Sequence, residues 1–439
     1  MAVLDAKPIV TQHIGNDESW TLKSYVDNGG YDALKKAIAM SRDEVQAEVD
    51  AANLLGRGGA GFPAGRKWSM LRDAHPRYLV VNGDESEPAT FKDHMLIEQD
   101  PHQIIEGSII TAYAVGAAQV FIYVRGEFAL GIERMTQAVN EAYEHDAAGA
   151  NIFGSDFSID VVVHPGAGAY ICGDETALLE SLEGKRGFPR IKPPNFPAVI
   201  GLYGQPTIVN NVETMSNVPW ILLNGGAAFA AMGEGPSTGT RLFAVSGHVV
   251  KPGNYEVELV KNTFRDLLFD PQLGAGLNPG RTLKAFIPGG ASSFWFSPDK
   301  LDYPLDEAKV KGEGGSMMGS GSVIAMDDTA CMVRASWRLV RFFQRESCGQ
   351  CTPCREGSSW LEKIMYRIEA GSGRMEDLEL LMDVCDNISP GVQWPSKWPP
   401  NMTTICPLGP SIPPPIVSAL GMFRDEFEAH VRDGKCPVG

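Results

Sequence analysis

The 439-residue sequence contains no run of about 18 apolar residues, which excludes an evident membrane-spanning helix. Basic charge is also in short supply. Lys and Arg total 38 against 54 Asp and Glu, the net charge is −16, and no long basic run occurs. A nucleic-acid partner would need Lys and Arg to neutralise phosphates, so that class is excluded. A single nucleotide held by loops and a few cations is not. The opening MAVLDAKPIVTQHIGNDESW lacks a charged segment followed by an apolar one, and it is not rich in Arg and Ser. No targeting peptide is expected, and membrane association would come through partners. Internal repeats are lacking too. Cysteines number only eight, and a long chain with no export signal makes disulfides a poor default for them.

What is present is a globular composition. Hydrophobic residues make up 44% and charged residues 21%, enough for a large core, and the length predicts two to four domains. Residues 20–55 read as helix from apolar residues three and four apart. A glycine-rich loop, GRGGAGFPAGRKW, follows at 56–68. Strands are expected in 77–88, 119–127 and 157–166, with helices at 102–117 and 128–146 between them. That alternation predicts an α/β domain with a largely parallel sheet, running to about residue 235. The next segment, 240–259, holds two strand-like runs around a Pro-Gly turn. A short helix in NTFRDLLFDP and a strand in TLKAFIPGG follow, which together suggest a small α+β module. EGGSMMGSGS (313–322) reads as a linker or turn. Beyond Thr329, four stretches with helical periodicity predict a small helical bundle. SPGVQWPSKWPPN (389–401) reads as an extended loop.

Three cysteines stand in a C-x2-C-x2-C run, Cys348-Gly-Gln-Cys351-Thr-Pro-Cys354, between two expected helices. A turn there can direct three thiolates to one point, and a four-iron cluster needs four. Cys406, in the turn TTICPLG, is the preferred fourth ligand; Cys385, inside a helical run, competes. Zinc usually takes pairs of ligands separated in sequence, so iron–sulfur is favoured over a structural zinc site or a coincidental cluster. Cys172, Cys331, Cys385 and Cys436 carry the plainer reading of buried core residues.

Gly56-Arg57-Gly58-Gly59-Ala-Gly61 formally contains G-x-G-x-x-G, but a helical stretch precedes it, so the usual dinucleotide context fails. Dense glycines still permit positive φ and close approach of backbone N–H groups to phosphate, and Arg57, Arg66 and Lys67 add charge. The turn Asn82-Gly-Asp84-Glu85-Ser-Glu87 follows an expected buried strand, where open α/β sheets bind ligands. Three carboxylates in four residues repel one another, which suits hydrogen bonds to ribose or ring groups better than internal packing; a solvated turn is the plain alternative. A second glycine segment, 164–176, opens the helix ETALLESLEG and offers Tyr170 for stacking. Asn210 and Asn211 offer amide groups to a ring edge.

Together, GRGGAGFPAGRKW, VNGDESEPATFKD, YVRGE, GAGAYICGDETALLESLEGKRGFPRIKPPNFPA, PTIVNNVET, IPGG, ESCGQCTPCREG and TICPLG resemble the flavin-binding subunit of NADH:quinone oxidoreductase, complex I. The resemblance implies an α/β fold with additional domains. These are an N-terminal helical segment (1–62), a Rossmann-like flavin domain (63–235), a ubiquitin-like β-grasp domain (236–328) and a C-terminal four-helix bundle (329–439). It implies FMN held by Gly56, Arg57, Gly58, Gly59, Gly61, Gly65, Lys67, Asn82, Asp84, Gly173, Asp174, Glu175, Val209, Asn210 and Asn211. NADH would stack over the flavin near Phe62, Glu85, Glu87, Lys192 and Phe196. One 4Fe-4S cluster falls to Cys348, Cys351, Cys354 and Cys406.

The implied reaction is hydride transfer from NADH to FMN, then single-electron transfer to the cluster. Glu85, Asp174 and Glu175 are the candidate catalytic residues, working by position and charge, because the hydride step needs no general base. The implied partners are a thioredoxin-like 2Fe-2S subunit and a large multi-cluster iron–sulfur subunit. The implied place is the peripheral arm of a complex on the cytoplasmic side of the inner membrane. Two departures stand out: the family usually has G-E-E-T where this chain has Gly173-Asp174-Glu175-Thr176, and the loop GVQWPSKWPPN is longer than expected, as though it packed on a neighbouring subunit. The nearest rival is the diaphorase subunit of an NAD-linked hydrogenase or formate dehydrogenase. A non-enzymatic zinc scaffold is the rival from another class.

Overall fold

A computed structural model describes residues 8–15, 18–395 and 400–438. Within it the chain divides into two units: residues 1–86, 90–243 and 254–261, and residues 87–89, 244–253 and 262–439.

The first unit is built on four parallel strands, β1 (Tyr78–Gly83), β2 (Gln119–Val124), β3 (Asp160–Pro165) and β4 (Thr207–Asn211), in the order β3-β2-β1-β4. The apolar run LVV is buried in β1, and Val120, Ile122, Tyr123 and Val124 are buried in β2 with Phe121 half-buried, as strands covered by helices should be. Helix Pro101–Val115 lies in the core with nearly every residue buried. Its start is set by Asp100, whose carboxylate accepts from Gln103 N, and by Pro101 in the first turn. Gly116 in the left-handed region stops it. The amphipathic helix Ala129–Glu144 buries one face, Met135, Ala138, Val139 and Ala142.

The stretch expected to be helical over 20–55 forms three helices, Leu22–Asp27, Asp32–Ala39 and Arg42–Ala52. The last begins at a capping box in which Ser41 and Glu44 bond to each other's backbone N–H. Residues 207–211, not expected as a strand, form β4.

A second sheet has the order β6-β5-β8-β7, with β5 Thr240–Gly247, β6 Gly253–Glu258, β7 Leu283–Ile287 and β8 Ser322–Asp327. Within the second unit β5 pairs with β8 in parallel and β7 with β8 antiparallel. The glycine-rich stretch read as a linker leads directly into β8. Four long helices follow, Met332–Glu346, Thr352–Glu369, Glu376–Ile388 and Pro413–Asp433. The first two and the last pack on one another, and Glu376–Ile388 packs on the second and fourth. Among the described residues no helix is long and apolar enough to cross a membrane. The architecture is mixed α/β with one parallel and one mixed sheet.

Candidate functional site

Strand order locates the first site. From β1 the chain moves outward through β2 to β3, then returns to the other side of β1 as β4. The strand order thus reverses between β1 and β4, and open parallel sheets bind ligands in a crevice outside the carboxyl ends of their strands at such a point. Asn82 and Asn211 are register partners at those ends of β1 and β4.

The glycine loop reaches this place from between helices Arg42–Ala52 and Ala64–Ser69. Gly56 N donates to Phe62 O at 2.9 Å and closes the loop. A Cβ on Gly58 would stand 3.0 Å from Asn211 Cβ, so the loop lies directly against the end of β4. Gly59 has φ +150° with nothing within 4 Å of the position a Cβ would take, which leaves its backbone open to a ligand. Arg57 differs from expectation. Its side chain is buried and its Nη2 donates to Thr238 O and Thr240 O at 2.9 Å each, while its N–H donates to Thr214 Oγ1. Its guanidinium is thus a strut for the loop; Lys67 and Lys192 pair with the carboxylates of the second glycine segment, and Arg66 lies over the Phe62 ring.

Lys67 Nζ donates to Glu175 Oε2 at 2.8 Å and to Val209 O at 2.7 Å, tying the helix after the glycine loop to β4 and to the second glycine segment. Lys192 Nζ lies 3.6 Å from Glu175 Oε1 and 3.7 Å from Asp174 Oδ2. Burial pushes the Glu175 pKa up, but the two ammonium groups outweigh it and the net shift is downward. Glu175 is therefore a fixed negative charge. Asp174 caps helix Glu175–Leu182: its Oδ1 accepts from Thr176 N, Thr176 Oγ1 and Ala177 N. Asp is among the preferred N-cap residues, which suits Asp174 to this position.

Asn82 Nδ2 donates to Gly173 O at 2.9 Å, and Asn82 Oδ1 accepts from Asp84 N. Asn211 Nδ2 donates to Asp93 Oδ2 at 2.7 Å. With its oxygen toward Trp68 Nε1, the Asn210 amide bonds at 3.0 Å. These amides set the walls of the crevice as well as facing it. Tyr170 is half-buried in the short turn Tyr170–Gly173. Phe62 and Phe196 are 41% and 49% exposed, leaving two rings open to a planar ligand. Glu87 groups with the second unit, where its Oε1 accepts from Ser292 N at 2.8 Å.

Glu85 accepts from Asp93 N and His94 N at 2.8 and 3.0 Å. Burial, then the neighbouring Asp93 carboxylate, raise its pKa from 4.5 to about 7. The folded chain therefore keeps a proton that the unfolded chain releases. This group favours folding below pH 4.5, and the contribution is lost as pH rises to about 7. In Glu85→Gln, urea-unfolding midpoints measured between pH 5 and about 8 should lose that part of the decline. An unchanged pH profile would place the titration elsewhere.

The cysteine run in the second unit folds as a turn. Gly349, at φ +77°, bends the chain after Cys348; Cys351 precedes helix Thr352–Glu369 and Cys354 lies in its first turn. Cys354 and Cys406 are buried and the other two half-buried. Cys406 stands just before the short helix Leu408–Ser411, which packs on helix Thr352–Glu369. Burial pushes the Cys354 thiol up to about 11, with Cys348 and Cys351 adding to it against a hydrogen bond from Ser347. Thiols grouped at a helix N-terminus and held neutral by burial ionise when a metal centre binds, and sulfur donors suit iron–sulfur chemistry. The donor set fits a cluster, as the open glycine loop at a switch point fits a flavin nucleotide. Cys385 is fully buried within helix Glu376–Ile388, and Cys172 is buried beside Gly187.

Of the long loop, residues 396–399 lie outside the described residues. Trp394 packs within its own unit: its Nε1 donates to Trp295 O at 3.3 Å, and a Cβ on Gly421 would stand 3.3 Å from it.

Both regions have counterparts among known proteins. Residues 49–220 match the family described as Nuo51 FMN-binding domain, and residues 334–430 match the NADH-ubiquinone oxidoreductase-F iron-sulfur binding region. The chain is 47% identical over 432 residues to the F subunit of NADH-quinone oxidoreductase of Streptomyces coelicolor, covering 98% of this chain and 92% of that one. It is 47% identical over 439 residues to the corresponding protein of Mycobacterium tuberculosis, at 98% and 95% coverage. Among solved structures, an NAD+-reducing [NiFe]-hydrogenase in the H2-reduced state matches with a TM-score of 0.82 and 32% identity, covering 97% of this chain and 68% of that one. The chain belongs to the family of NADH-quinone oxidoreductase F subunits.

Proposed function

We propose that this chain is the NADH-oxidising flavoprotein subunit of a respiratory NADH:quinone oxidoreductase, with FMN at the β1/β4 switch point and one 4Fe-4S cluster at Cys348, Cys351, Cys354 and Cys406. The observation that carries this reading is the convergence of the glycine loop, Lys67, Glu175 and the ends of β1 and β4 in one crevice. When bound, FMN would supply the two-electron chemistry that accepts hydride from NADH and the one-electron chemistry that a cluster held by Cys348, Cys351, Cys354 and Cys406 would need. The chain's own residues position and polarise. Gly56, Gly58, Gly59, Gly61 and Gly65 let backbone approach the phosphate side, and Lys67 supplies positive charge. Asn82, Asp84, Gly173, Val209, Asn210 and Asn211 shape the ring edge. Phe62, Phe196, Tyr170 and Lys192 hold the nicotinamide nucleotide, with Glu85, Asp174 and Glu175 setting the field around it. Arg57 contributes by bracing the loop.

The domain reading follows: a helical segment (1–62), a Rossmann-like flavin domain (63–235), a β-grasp domain (236–328) and a four-helix bundle carrying the cluster (329–439). Electrons then pass to a large multi-cluster iron–sulfur subunit, beside a thioredoxin-like 2Fe-2S partner, in a peripheral arm on the cytoplasmic side of the membrane. The hydrogenase likeness supports a second reading, a diaphorase subunit of a soluble assembly. The 47% identity across nearly the whole chain to the quinone-reductase relative, against 32% to the hydrogenase, favours the respiratory one. Co-purification with membrane subunits rather than a nickel enzyme separates them.

Purified protein should be yellow-brown and reduce ferricyanide with NADH. Because carboxylates crowd the site, a 2′-phosphate should be repelled, and kcat/KM with NADPH should be at least about tenfold lower, about 1.4 kcal/mol. A colourless preparation would refute the function, and equal rates with NADPH the electrostatic account.

A further inference from the structure

Cys331, His430 and Cys436 play no part in either site, and from sequence alone both cysteines read as core residues. The structure brings the three together: one donor atom from each lies within 4.8 Å of the others. Cys331 Sγ is 3.5 Å from His430 Nε2. Zinc bonded to sulfur at about 2.3 Å and to imidazole nitrogen at about 2.0–2.1 Å sets tetrahedral donors roughly 3.6 Å apart, so the spacing suits that ion.

The histidine tautomer is determined by its other nitrogen. Nδ1 lies 2.7 Å from Glu426 O, which can only accept, so Nδ1 carries a proton and the neutral ring, the form that binds a metal, presents its lone pair on Nε2. A backbone carbonyl holding the distal nitrogen is the usual support for a metal-bound histidine. His430 is fully buried. Facing the same Nε2 at 3.7 Å is Glu369 Oε2, from a side chain only 8% exposed. That oxygen is buried and makes no hydrogen bond among the described residues. Two acceptors thus confront each other across a buried space flanked by two thiols, an arrangement that a cation between them would satisfy. The other carboxylate oxygen, Oε1, is already engaged by Arg334 Nε at 2.5 Å, which fixes the side chain and offsets the negative charge of the donor set.

We propose that Cys331, His430 and Cys436 form a structural zinc site separate from the iron–sulfur centre, with Glu369, whose Oε2 stands 3.7 Å from His430 Nε2, moving in as the fourth donor when the ion binds. It joins the start of helix Met332–Glu346, the end of helix Thr352–Glu369, the last turns of helix Pro413–Asp433 and the tail beyond. Cys354 and Glu369 lie at opposite ends of an 18-residue helix, roughly 27 Å long at about 1.5 Å per residue, so the zinc and the cluster do not share ligands or electrons. With Glu369 as the fourth donor the ion would have no open coordination site, and the site's role would be structural.

The test is metal analysis of the full-length chain, produced with zinc in the medium and purified without chelator, beside Cys436→Ala and Cys331→Ala. Wild type should hold about one zinc per chain. Each variant should lose at least about tenfold of it with iron unchanged. X-ray absorption at the zinc edge of the wild type should show two sulfur and two nitrogen or oxygen neighbours, a readout that does not depend on the variants folding. Zinc at background level in wild type, zinc unchanged in folded variants, a different first shell, or a Cys331–Cys436 disulfide in the intact mass would each overturn the proposal.

Discussion

Lys92→Met should lose about 3–5 kcal/mol of stability, enough to leave much of the chain unfolded or insoluble at growth temperature. Lys92 is fully buried, and its Nζ lies 2.7 Å from Asp93 Oδ1 and 2.8 Å from Glu213 Oε2. Burial works against its charge, yet Asp93, Glu213 and Glu85 raise its pKa overall. Around this one ammonium stand three carboxylates, and each does other work. Glu85 holds the start of helix Lys92–Gln99, Asp93 accepts from Asn211 Nδ2, and Glu213 Oε1 accepts from Leu242 N. Removing the cation leaves Asp93 and Glu213 facing one another in a medium that screens them poorly and favours the protonated form of Glu85. Urea midpoints measure the loss. Lys92→Met with Glu213→Gln should recover part of it, since one uncompensated charge goes with the cation. A Lys92→Met midpoint within experimental error of wild type would show that the three carboxylates do not depend on this lysine.

Cys406→Ser should remove the 4Fe-4S cluster while NADH still reduces ferricyanide through the flavin. Three of the proposed ligands come from one turn, and Cys406 alone arrives from a distant segment. Its turn is held by Thr404 Oγ1 donating to Cys406 O at 2.9 Å. Serine is a poor replacement for a soft thiolate donor, and electron delivery beyond the flavin should fall by at least about a hundredfold. Iron content and the spectrum of the reduced protein give the first readout, and transfer to the partner subunits the second. Cys385→Ala provides the contrast, because that thiol lies inside a helix among core side chains and should leave iron in place. Iron retained in Cys406→Ser and lost in Cys385→Ala would reverse the assignment of the fourth ligand.

The legible parts of the molecule share a physical trait: their signal is local. Apolar runs announced β1, β2 and β3, and three- and four-residue spacing announced helix Ala129–Glu144 and the C-terminal helices. β4 escaped because its five residues end in two asparagines and are buried only through pairing with β1, far off in the chain. β8 escaped because the glycines before it read as a linker. The division of the 20–55 helix could have been found, since Ser41 and Glu44 stand at the spacing of a capping box. In the crevice, residue types were readable but partners were not. Nothing in the sequence distinguishes Arg57, turned inward onto two carbonyls, from Lys67, which pairs with Glu175. Nor does it show that Cys331 and Cys436 meet at His430.

The return of β4 to the flank of β1 also governs timing. On the ribosome, the glycine loop, the acidic turn and even Glu175 emerge before the strand that completes their crevice. A nascent chain therefore has no finished pocket until residue 211 has cleared the tunnel and found its neighbour, a slow, long-range pairing. With FMN sited at this crevice as proposed, flavin would load late in the life of this polypeptide, and any fragment that stops short of β4 should stay colourless however well its helices form.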